Sequence, residues 1–67
     1  MSLLYALTMQ YRADIEKAKA NINVYLSNPT GIGEHPDLVG AVDSQVEIIA
    51  HAEDKLKVID VHFSTTA

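Results

Sequence analysis

Three histidines, His35, His51 and His62, are the side chains of this 67-residue sequence best suited to proton or metal chemistry near neutral pH. Glu47 stands four residues before His51, so on a helix the two share a face and can reach one ion. His62 follows His51 by eleven residues and falls on roughly the same face. Glu47, His51 and His62 are therefore the candidate metal ligands, and two copies of the chain would bring two such sets together. The two-carboxylate, Glu-x-x-His arrangement of di-iron bundles is missing. The expected state of Glu47 and His51 is a solvated ion pair on a wet face, with a metal or small-ligand site as the alternative.

Other chemistry is thinner. Gly31-Ile32-Gly33-Glu34-His35-Pro36 sets two glycines ahead of an expected helix N-terminus, a place that attracts anions. It lacks the spacing and the lysine of a phosphate-binding loop, and Glu34 and Asp37 would repel phosphate. With Cys absent, the hydroxyl nucleophiles are serine and threonine, and none falls near a histidine in a supporting pattern. Tyr5, Tyr11 and Tyr25 recur at near-helical spacing, but so few basic residues accompany them that they read as core or interface, not as base-stacking platforms. No enzymatic activity, catalytic residue or cofactor is expected.

Two helices must position these residues. Both prolines and two of the three glycines fall within residues 28–36. Pro removes a backbone donor and Gly admits φ > 0, so breakers pooled in one place mark a single turn. Before it, Met1, Leu4, Thr8, Tyr11, Ile15, Ala18, Ile22 and Tyr25 alternate spacings of three and four. After it, Leu38, Val42, Gln45, Ile49, Ala52, Leu56, Ile59 and Phe63 do the same. Each is a heptad seam with one polar member, Thr8 or Gln45, either of which can fix register or lie at the edge. Asp14, Glu16, Lys17, Lys19, Asn21 and Asn23 fall off the first seam and are expected to face water. The predicted elements are helix 1 over about 2–27, a turn over 28–35, helix 2 over about 36–63 and a frayed tail. Ser2 is a candidate N-cap. Pro36 suits the first helical position and Asp37 the first turn, with His35 or Glu34 as cap. Gly40, inside helix 2, either admits another backbone or is simply tolerated.

The fold class is all-α: an antiparallel two-helix hairpin. At 67 residues, without a disulfide, such a hairpin has little core of its own. Leu3, Leu7, Met9, Val39, Val46, Ile48, Val58 and Val61 lie off the seams and would leave apolar patches. Pairing with a second copy into a four-helix bundle, or a larger homo-oligomer, is expected. Its interface draws on Leu4, Leu7, Tyr11, Ile15 and Ile22 of helix 1. Helix 2 supplies Val42, Val46, Ile49, Leu56, Ile59 and Phe63. A net charge of −4, with five basic residues beside nine acids, argues against nucleic-acid and membrane-surface binding. No apolar run is long enough for a transmembrane helix, and the first residues lack a basic signal-peptide start, so a cytoplasmic protein is expected.

The turn and its flanks, Ala13-Asp14-Ile15-Glu16-Lys17-Ala18, Tyr25 to Val39 and Ala52-Glu53-Asp54-Lys55-Leu56, resemble short helical proteins of marine T4-like phages that infect cyanobacteria. The likeness covers most of residues 11–57 and is most specific at Asn28-Pro29-x-Gly31-Ile32-Gly33-Glu34-His35-Pro36-Asp37. It brings no activity and no site residue with it. It implies a phage-encoded protein acting inside an infected bacterium.

The function expected from these features is that of a small, non-enzymatic interaction or scaffold module. Its turn, with Ile32 plugging the seam and Glu34, His35 and Asp37 exposed, is the candidate contact for a host or phage protein. The metal or small-ligand bundle built on His51, Glu47 and His62 is the alternative. An acidic decoy that mimics nucleic acid is a third reading, opposed by the modest charge and the interrupting lysines.

Overall fold

The computed structural model describes residues 2–27 and 37–64. Two helices account for almost all of them: α1 over Leu3–Ser27 and α2 over Leu38–Phe63, 25 and 26 residues long. They pack side by side as an all-α hairpin. Alanine and leucine, four of each, are the commonest residues of α1 and favour helix on their own. In α2 valine and isoleucine are frequent, and packing against α1 must offset their lower helix propensity.

The start of α2 differs from the predicted one. Asp37 is the N-cap and Leu38 the first helical residue, so the capping side chain is Asp37 itself and Pro36 precedes the helix. The Asp37 carboxylate accepts a hydrogen bond from the Gly40 N–H at 2.8 Å. This is the usual reach of an aspartate N-cap to the third helical residue. A Cβ on residue 40 would collide with that carboxylate. Gly40 therefore makes room for a cap, not for a neighbouring backbone. Residues 28–36, with the expected turn and Ile32, Glu34 and His35, lie outside the described residues.

The seams are the line of contact. Thr8, Tyr11, Ile15, Ile22 and Tyr25 of α1 are half-buried, as are Leu38, Val42, Gln45, Ile49, Leu56 and Ile59 of α2. Among the described residues Ala18 (1% exposed) and Ala52 (4%) are buried, and no large side chain is fully enclosed. Two alanines at the centre of the seam let the helix axes approach closely, but they remove little apolar surface from water.

The molecule is a rod, 50 × 16 × 16 Å, with a radius of gyration of 15.3 Å. A compact chain of this length has a radius of about 11 Å. Its accessible surface is 5141 Å², against about 4,200 Å² for a compact protein of its mass.

Candidate interaction surface

Two faces run the length of the hairpin, one on each side of the seam. Polar contacts cross the first. Asn21 Nδ2 donates to Gln45 Oε1 across the helices at 3.1 Å. The Lys55 ammonium lies 5.4 Å from the centre of the Tyr11 ring, a cation–π contact. Asp14, Lys17, Ile48 and His51 line the rest of this face. Gln45 thus has a partner on the other helix, which suits a residue that sets register. Thr8 does not: its hydroxyl donates to the Leu4 carbonyl at 2.9 Å, within its own helix.

The second face is more apolar toward the turn and charged toward the open end. Tyr25, Leu26, Leu38, Val39 and Val42 line a groove of about 430 Å³ at the turn end. Arg12, Leu56, Lys57, Ile59 and Asp60 line one of about 510 Å³ at the other, reaching Thr8 and Ser64. Leu26 is 69% exposed, Val39 82% and Val46 48%. Side chains of this kind in a row are what an unpartnered face looks like.

The expected interface residues divide into two groups. Tyr11, Ile15, Ile22, Val42, Ile49, Leu56 and Ile59 sit half-buried in the seam between the helices of one hairpin. Leu4, Leu7, Val46 and Phe63 are exposed, Leu4 and Phe63 at the open end. Of the residues expected at the recognition turn, Asp37 is described, and its carboxylate caps α2.

The histidine site does not gather. His51 and His62 lie on one continuous helix, so eleven residues of rise separate them by about 16 Å, too far to share an ion. Among the described residues no cluster of three or more His, Asp or Glu side chains is placed to hold a metal. Glu47 and His51 make no ion pair there; Lys19 and Glu16 do, at 3.3 Å and well exposed. His62 packs edge-on against Phe63, ring centres 6.4 Å apart.

Spacing alone missed two contacts. Asn21, expected to face water, reaches Gln45. Lys55 reaches Tyr11. Both belong to the row beside the seam, where Asp14 and Asn21, or Ile48 and Lys55, recur every seven residues; that recurrence is the available signal.

No family model, curated protein or solved structure matches this chain. Among the described residues no helix is long and apolar enough to cross a membrane.

Proposed function

We propose that this chain is a non-enzymatic, self-associating interaction module whose working form is a homodimeric four-helix bundle. The surface it leaves uncovered carries the reading. The hairpin exposes about 900–1,000 Å² more than a compact chain of its mass. A standard protein–protein interface covers about 800 Å² on each partner, so one further copy accounts for the excess. Exposed Leu26, Val39 and Val46 give that surface the apolar character such burial needs. The grooves are shallow clefts beside the seam, without converging nucleophile, base and orienting group, which supports a binding role over a catalytic one.

Sedimentation velocity across a dilution series through the micromolar range tests this. A reversible shift from dimer to monomer, with loss of helicity at the lowest concentrations, is the expected result. A monomer that keeps its full helicity and melts cooperatively at every concentration overturns it. The likeness at Asn28–Asp37 supports placing the module in a phage-infected bacterium. Pull-down from such a lysate with Glu34 reversed in charge, leaving the Asp37 cap intact, tests whether the turn recognises a partner. Equal recovery with both proteins rejects that role.

A further inference from the structure

We infer that the second copy docks on the face bearing Arg12 and Asp60, with both turns at the same end of the bundle; this rests on the self-association proposed above. On that face one row follows each seam at seven-residue intervals. Tyr5, Arg12, Lys19 and Leu26 form it on α1, and Val39, Val46, Glu53 and Asp60 on α2. Arg12 and Asp60 line one groove, Leu26 and Val39 the other, so the two rows belong to one face of the hairpin.

The register of the hairpin sets the levels. Asn21 meets Gln45 and Tyr11 meets Lys55. Leu26 therefore lies level with Val39, Lys19 with Val46, Arg12 with Glu53 and Tyr5 with Asp60. The row on α1 is basic at its centre, and the row on α2 is acidic from its centre to the open end. Among the described residues Arg12, Glu53 and Asp60 have no ion-pair partner within 4.0 Å, so their charge is open to a second copy.

Two layers can meet face to face about a two-fold axis in two ways. With the axis across the rod, the turns lie at opposite ends and each helix faces its own copy. Arg12 then approaches the second copy's Lys19, and Val46 approaches its Glu53. Like charges meet, and carboxylates are buried on valine. With the axis along the rod, α1 faces α2 of the partner at unchanged levels. Leu26 then meets Val39, the aliphatic stem of Lys19 covers Val46, and Arg12 meets Glu53. This arrangement joins opposite charges at Arg12–Glu53 and apolar side chains at Leu26–Val39. The opposite face, already joined by Asn21–Gln45 and Lys55–Tyr11, is left to solvent.

Spin labelling reads the orientation, because the chain has no cysteine and Ser2→Cys gives one exposed site at the open end. Turns at the same end place two labels within about 25 Å; turns at opposite ends place them about 35–40 Å apart or more. A dimer with the long distance overturns the arrangement while leaving self-association intact, whereas absence of any dimer overturns the earlier reading. Charge reversal tests the face. Arg12→Glu with Lys19→Glu, and Glu53→Lys with Asp60→Lys, are each expected to weaken association about 100-fold. Mixing the two variants restores dimers as heterodimers, which shows that neither loss comes from failure to fold. Ile48→Lys on the opposite face leaves association within about threefold. Dissociation by Ile48→Lys with no effect of either charge reversal overturns the proposal.

Discussion

Asp37 and Gly40 act as one unit, and their mutants should not add. Loss of the cap in Asp37→Ala is expected to cost about 1 kcal/mol. Gly40→Ala alone gains about 1 kcal/mol of helix propensity but displaces the carboxylate that caps the helix, so it is expected to be near neutral. In the Asp37→Ala background the full gain returns. Urea melts of the two single mutants and the double mutant check this, and strict additivity would refute it. Gln45 gives a second test. Its partner Asn21 is exposed and can turn to water, so Gln45→Leu leaves no buried group unsatisfied. The variant should melt about 4–8 °C higher for each kcal/mol of added burial, and its register should be less sharply fixed. Of these residues the sequence showed Gln45 as a polar seam member, and it placed Asp37 in the first turn, one position inside the helix that Asp37 caps. It did not show that Gly40 sits under a capping side chain, because capping depends on where the chain enters the helix.

At the scale of the helix pair, the seams were legible because burial and spacing have one cause. A stripe recurring every three and four residues is the one line two long helices can share. The buried members are Ala18 and Ala52, which set how near the axes come. Ala18→Leu pushes more carbon atoms into that contact and is expected to cost about 1–3 kcal/mol. Ala20→Leu, on the exposed side of α1, should stay within about 0.5 kcal/mol. Thermal melts of the two variants, at equal concentration, separate contact from propensity. An equal effect of both would remove the special role given to Ala18. The polar links beside the seam, Asn21–Gln45 and Lys55–Tyr11, were not legible, since each needs the register of both helices at once.

For the whole molecule, shape sets how much surface stays wet. Among the described residues a rod 16 Å across has no interior beyond its seam, so any cover on its sides would add much of its burial. If that cover is a second copy, the melting temperature must rise with protein concentration, because dimer formation stabilises by mass action. Calorimetry over a hundredfold range of concentration, an interval of about two decades in mass action, should show this shift. An invariant melting temperature would refute it. Salt gives a further sign. At about 1 M ionic strength the Debye length falls to about 3 Å. In the proposed dimer the Arg12–Glu53 attraction should then weaken, while apolar contacts at the turn end persist. Association is expected to fall several-fold without vanishing.

The sequence by itself determined that the chain is helical, where its two stripes run and which residues interrupt them, because helix period and breaker chemistry act within a few residues. Tertiary structure decided which side of the seam is bridged by polar contacts and which is left open. That choice depends on how far one helix slides along the other. The slide is fixed only when Ala18, Ala52, Gln45 and Tyr11 find their places against side chains more than twenty residues away in the chain.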